Sequence, residues 1–434
     1  MNPSEIIKII NLSKRKSYLQ QSLFIILVLF LFYSFGPFGF WNLFGIRLVV
    51  QGILVCFSFY LVGSYQFSLL SKYCLPVSLF LALLAIGGFI QTGSLSYVIE
   101  ASLLATFLIF LFSAPPRYII NLAKALVIST FCLSFLVLVA FFIYFLNPDL
   151  ISQANFNIYD STSGANQIYP SSFVDWISFT SGDGYVFLGN NLLRLKGFSS
   201  EPSATIVYYL APAALSFLLK GPFPFFGFFI LLFNIISISS FTSIIIISLS
   251  LILLSALSIF KKRGYFALAL FFIFLIFILF NINLLNSIFA SFSSHAVSSF
   301  DYDLVSRKMG EGNLGARQGG ITSSAKMILE SPLGFPTTNL GAGSGMIFTV
   351  SSITGILGLS LYLMFIRNLI RAPLILLNYN DNFFDRCFVS FFFSLLYVAM
   401  FVSGYGWDRF SGIALLFLIL RLLNVRISLH SPPT

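Results

Sequence analysis

The chain has 434 residues, 58% of them hydrophobic and 9% charged, with a formal net charge of +10. Soluble domains carry roughly a quarter charged residues, and a soluble chain this apolar could not cover its own surface. Lipid is the solvent that remains. The positive balance does not point to nucleic acid, because the Lys and Arg residues lie between apolar segments and form no stripe or arm.

A membrane-crossing helix needs roughly 20 mostly apolar residues. The first apolar stretch follows Lys14-Arg15-Lys16, and no small-residue cleavage site stands behind it. It therefore reads as a retained helix rather than a signal peptide. In chain order the apolar pattern predicts spans over 22–35, 46–62, 74–90, 95–112, 119–146 and 201–219. The second half adds 223–238, 241–260, 265–282, 345–366, 388–402 and 410–423. The stretch 223–260 is too long for one crossing, so a tight turn is placed at Ser237-Ile238-Ser239-Ser240. The expected fold is a single all-α transmembrane domain of about twelve helices. Cys56, Cys74, Cys132 and Cys387 fall in or at the ends of apolar segments, with no metal-site or disulfide spacing.

Orientation follows from the basic residues. With the N-terminus inside, sixteen of the 24 Lys and Arg residues fall on the cytoplasmic side. Arg47, Arg194, Lys196, Arg307, Lys308, Arg317, Lys326 and Arg409 fall outside. The acidic residues run the other way, with only Glu5, Asp381 and Asp385 inside. Both termini are then cytoplasmic. Two long loops, 147–200 and 283–344, share the outer face. Loops of this length in a compact membrane protein are usually functional. No internal repeat divides the chain into matching halves, which counts against transporter folds built from repeated halves.

The first loop ends Arg194-Leu195-Lys196-Gly197-Phe198-Ser199-Ser200-Glu201-Pro202-Ser203. One reading is a well-made helix start, with Pro202 in the first turn and Glu201 at the positive end of the dipole. The other places Arg194 and Glu201 on an aqueous cavity. Arg194 would then grip a phosphate through its fork of donors, and Glu201 would act as a base or position a sugar hydroxyl. Lys196 is a second cation in the same run.

The second loop carries His295, Asp301, Asp303, Arg307, Lys308, Glu311 and Arg317, then Pro332-Leu333-Gly334 and Gly341-Ala342-Gly343-Ser344-Gly345. Arg307 and Arg317 stand outside against the sorting rule, which suggests an anionic ligand on that face. His295 is the histidine on that face and a base of suitable pKa, although a lone loop histidine is more often incidental. Asp301-Tyr302-Asp303 looks like the metal-binding pair of nucleotide-sugar transferases. That pair needs a nucleotide-binding α/β domain, which this chain lacks, so no metal is expected. Lys326 and Glu330 suggest a short amphipathic helix lying on the membrane. Arg47, at the outer end of the second span, is a further candidate for a phosphate. Tyr405, Asp408 and Arg409, between the last two spans, are either interfacial or cavity-facing.

About twelve spans, a long outer loop after the fifth, a longer one after the ninth, and Arg-x-x-Gly-Phe-x-x-Glu-Pro-Ser at the head of the sixth resemble bacterial O-antigen polymerases of the Wzy type. The stretch from Arg317 to Gly345 is similar to that family's arginine, short helix, Pro-x-x-Gly and Gly-x-Gly pattern. The resemblance implies a metal-independent, GT-C-like glycosyltransferase in the bacterial inner membrane with its active site facing the periplasm. It would need no cofactor. Its substrate would be oligosaccharide repeat units on undecaprenyl pyrophosphate, and a chain-length regulator of the Wzz type would be its partner. Glu201, or else His295, would be the catalytic base. Arg194, Arg307, Arg317 and Arg47 would bind the pyrophosphate. Lys196, Asp301, Asp303, Tyr405, Asp408 and Arg409 form a second tier. Two other activities fit the same outline. An O-antigen ligase would deliver the same donor to lipid A-core. A lipid-linked oligosaccharide flippase would need cations lining a central path within the spans.

Overall fold

The computed structural model describes residues 70–93, 95–160, 165–174, 178–187, 190–197, 206–234, 241–259, 331–334, 346–379, 382–402 and 410–430. It also describes isolated positions among 21–29, 52–56 and 326–329. These residues are mostly helical. In chain order the helices are α1 (Leu70–Thr92), α2 (Ser96–Ser113), α3 (Pro116–Leu146), α4 (Ala211–Ser216), α5 (Phe223–Phe233), α6 (Phe241–Ile259), α7 (Met346–Tyr379), α8 (Phe383–Tyr397) and α9 (Phe410–His430). Pro116 opens α3 at a position where its missing N–H costs nothing. Several hydroxyls in these apolar helices bond locally. Thr106 donates to Ser102 O, Ser250 to Ile246 O, Thr354 to Val350 O and Ser394 to Ser390 O. A serine or threonine bonded one turn back asks for no partner in lipid.

Among the described residues, three helical stretches are long and apolar enough to cross a membrane: Pro116–Leu146, Ile353–Leu377 and Phe383–Met400. Leu79–Ile90, Phe223–Phe233 and Ile245–Ile259 are shorter apolar helices. Each predicted span from the third to the eighth, and from the tenth to the twelfth, overlaps one of the described helices. The turn expected at Ser237-Ile238-Ser239-Ser240 lies outside the described residues, while the helices on either side of it pack on different partners. Helix α5 lies on α3 and α4, while α6 lies on α8. The ninth span, 265–282, lies outside the described residues, and the first two are described only at isolated positions.

The tenth span differs from expectation. Helix α7 runs on to Tyr379 and is broken at Gly355, whose φ of 65° and ψ of −164° suit glycine alone. The apolar crossing stretch starts at this break rather than at 345, so Arg367 and Arg371 lie inside the helix and not in the loop after it. An apolar run with a glycine inside is read as continuous by hydropathy, and that is why the boundary shifted.

The first long loop is not plain loop. It holds a four-stranded antiparallel meander: β1 (Ile151–Asp160), β2 (Ala165–Val174), β3 (Ser178–Phe187) and β4 (Asn190–Gly197), in the order β1-β2-β3-β4. The all-α expectation therefore holds for the apolar helices but not for this insertion. β1 and β2 pair along their whole length, from Ile151↔Val174 to Asp160↔Ala165. β2 meets β3 only at Phe173 and Val174. Pro170 thus lies where one side of β2 has no strand neighbour, the setting in which a residue without an N–H is tolerated.

The core is continuous across the bundle. Its centre is α4, where every residue is buried, as befits a helix apolar on all sides. Gly227 of α5 allows the closest approach: a Cβ there would meet Ser216 Oγ and, at 3.0 Å, Ala213 O. Small residues at such a crossing are how helices pack tightly without a hydrophobic driving force.

Candidate functional site

Arg194 and Lys196 both lie on β4, the edge strand of the sheet. The pairing between β3 and β4 is regular from Phe187↔Asn190 to Gly184↔Leu193 and then breaks. Thr180 pairs with Leu195 and Phe179 with Gly197. Arg194 therefore stands opposite the extra residues 181–183 of β3, and Lys196 is an extra residue of β4 with no partner across the ladder. Bulges bend a strand and re-aim its residues, and they recur beside active sites. Between the two cations sits Leu195, fully buried in the common core. β4 also contacts α3. The strand is thus pinned to the bundle at Leu195, and the two cationic positions are fixed one residue either side of the pin.

Eight residues beyond β4 the chain re-enters the helical bundle as a π-helical segment, Ile206–Leu210, which leads into α4. Thr130, near the middle of α3, donates a long 3.5 Å hydrogen bond to Tyr208 O. A second π-helical segment, Val398–Val402, extends α8, and both segments contact α6. Single π turns mark functional sites more often than chance. One follows the Glu201-Pro202-Ser203 run and the other precedes Tyr405. Hydropathy carries no signal for such turns.

Of the predicted site residues, only Arg194 and Lys196 lie among the described residues. Glu201, His295, Arg307, Arg317, Arg47, Asp301, Asp303, Tyr405, Asp408 and Arg409 lie outside them.

The opposite end of the bundle carries a polar cluster that the sequence reading treated only as topology charge. Arg426 Nη2 contacts Asp385 Oδ1 at 2.6 Å, and Arg426 Nη1 donates to Leu218 O at 2.6 Å. Arg421 Nη2 donates to Ala114 O at 3.3 Å. Asp385 is fully buried in the first turn of α8, and its N–H is capped by Asn382 Oδ1 at 2.8 Å. The carbonyls of Ala114 and Leu218 follow the ends of α2 and α4, where helices leave acceptors unsatisfied. Two arginines from the last turns of α9 supply the missing donors, and Asp385 pairs with one of them, Arg426. This cluster joins the α2–α3 junction, the α4–α5 junction, the head of α8 and the tail of α9. All four were read as cytoplasmic from charge alone. Helix α3 leads away from this end, and the sheet starts at its far terminus.

The chain matches no protein-family model and no curated protein sequence.

Proposed function

We propose that the chain is a glycan polymerase that acts on lipid-linked oligosaccharides at the outer face of a bacterial inner membrane, with about twelve spans and both termini cytoplasmic. The observation that carries the reading is the placement of Arg194 and Lys196. They stand at the bulges of an edge strand pinned to the core by Leu195, at the end of the bundle away from the Asp385–Arg426 cluster. Two cationic residues two positions apart on a strand fixed to the core suit a pyrophosphate. The acceptor sugar's hydroxyl oxygen attacks the anomeric carbon of the growing chain. The bond from that carbon to the pyrophosphate oxygen breaks, and undecaprenyl pyrophosphate leaves with the electron pair. The acceptor's proton passes to the Glu201 carboxylate. Arg194, with Arg307, Arg317 and Arg47, offsets the charge growing on the leaving group. A chain-length regulator would act on the same outer face.

Deleting the gene and resolving surface polysaccharide by gel tests this. The polymerase reading expects a single repeat unit on the lipid core. Loss of all glycan from the core, with long chains left on the carrier, would mean a ligase. Repeat units trapped on the cytoplasmic face would mean a flippase.

A further inference from the structure

The turn Ser331-Pro332-Leu333-Gly334 is clasped to the break in α7. Gly334 N–H closes the turn on Ser331 O at 2.9 Å, and Ile356 N–H, freed by the break, donates to Pro332 O at 2.9 Å. The two backbones meet glycine to glycine. Gly334 has φ +88°, and a Cβ there would stand 2.6 Å from Thr354 C and 2.7 Å from Gly355 N. A Cβ on Gly355 would collide with Gly334 N and Leu333 C. Neither position accepts a side chain, so the turn is held at the head of the crossing stretch Ile353–Leu377.

This clasp fixes the height of Leu333, one of two large exposed apolar side chains here. Leu333 is 79% exposed and Leu329, in the helical piece just before it, is 83% exposed. They are four residues apart, with the exposed Lys326 one turn earlier. On the crossing stretch itself Ile356, Leu357, Leu363 and Met364 are exposed too. Exposed apolar residues thus lie on both sides of the clasp, on the turn and on α7.

We propose that residues 326–334 form a membrane-seated foot of the second long loop, with Leu329 and Leu333 embedded among lipid acyl chains and Lys326 at the headgroups. Leu329 and Leu333 remove their apolar area from water by entering lipid, and a basic residue flanking an apolar face is the pattern of an interfacial segment. The foot does not depend on the polymerase reading: it would hold the loop to the bilayer whatever the loop does.

The test places an environment-sensitive fluorophore on Leu329→Cys and on Leu333→Cys, in the full chain with its native cysteines replaced by alanine. The protein is reconstituted into phosphatidylethanolamine–phosphatidylglycerol vesicles. An identical probe on Asp149→Cys, an exposed position before the sheet, serves as reference. The expected result is blue-shifted emission at 329 and 333, quenched by spin-labelled lipid more than the reference and by iodide less. Quenching by iodide at both positions would overturn the proposal, and so would resistance to both quenchers, which would mean that protein covers the leucines. If the cysteine-free chain fails to fold, a photoreactive phenylalanine derivative at 329 and 333 of the native chain replaces the probe. Cross-linking to lipid then supports the foot, and cross-linking to protein alone refutes it. Gly355→Ala should reduce lipid quenching at 333; unchanged quenching there would refute the clasp as its cause.

Discussion

Asp385 at the head of α8 and Arg426 near the tail of α9 form a buried ion pair, Oδ1 to Nη2 at 2.6 Å. Arg426 also serves the end of α4 through Leu218 O, so one side chain ties together three elements. Removing one member of a buried pair leaves the other charge without compensation, which costs about 3–5 kcal/mol. Asp385→Ala and Arg426→Leu should each lower the unfolding temperature in detergent. The double variant should lose less than the two losses combined, because no lone charge remains. Fully additive losses would mean that the pair is not a unit.

Arg194→Ala should lower chain formation by about a hundredfold, the scale of losing one preorganised charge-stabilising donor, with the protein still present in the membrane. Arg317→Ala should act in the same direction. The readout is the ladder of chain lengths on a gel, set against protein abundance. A full-length ladder from both variants would remove these arginines from the site.

Leu195 pins β4 to the core. Leu195→Ala removes a fully buried side chain, which typically costs about 2–5 kcal/mol. The loss should fall first on the sheet: limited proteolysis should cut within 151–197 faster, while cleavage within α3 stays unchanged. Equal acceleration across the chain would mean that the sheet is no separate unit.

Gly227 on α5 approaches Ser216 and Ala213 of α4 too closely for any Cβ. Gly227→Leu should abolish accumulation of folded protein, measured by monodisperse elution from a sizing column. Gly227→Ala forces the two helices apart and should cost about 1–3 kcal/mol.

The orientation gives a fifth experiment of a different kind. Alkaline phosphatase fused after Arg263 should be inactive, and fused after Asp149 active. Activity at Arg263 would reverse the assignment of faces.

Much of the helical frame was legible in the sequence. Phe241–Ile259 is almost entirely Ile, Leu and Ser, without a Gly or Pro to break a helix. The sheet was not legible. β1 reads Ile-Ser-Gln-Ala-Asn-Phe-Asn-Ile-Tyr-Asp, and β2 carries Pro170. Such strands lack the clean alternation that marks one buried face. The break at Gly355 was hidden because a glycine in an apolar run is ordinary; only the approach of Gly334, distant in sequence, gives it meaning. The Asp385–Arg426 pair was hidden for a related reason. Charge counting gave both residues a side of the membrane but not a partner. At the candidate site, Arg194 was singled out for its charge and its neighbours in sequence. The bulges that frame it depend on β3, and residues 181–183 announce nothing by themselves.

The length of α3 has one more consequence. Its 31 residues, at the usual rise of an α-helix, make a rod about 46 Å long. The oily interior of a bilayer is about 30 Å thick. With its first turn beside the Arg421–Ala114 contact, an upright α3 outreaches that interior by about 16 Å. The helix is then a mast, and the sheet is the platform at its top. A bilayer with its headgroups is about 40–45 Å thick, so an upright rod of this length would lift the platform to the outer edge of the headgroup layer, clear of the oily interior.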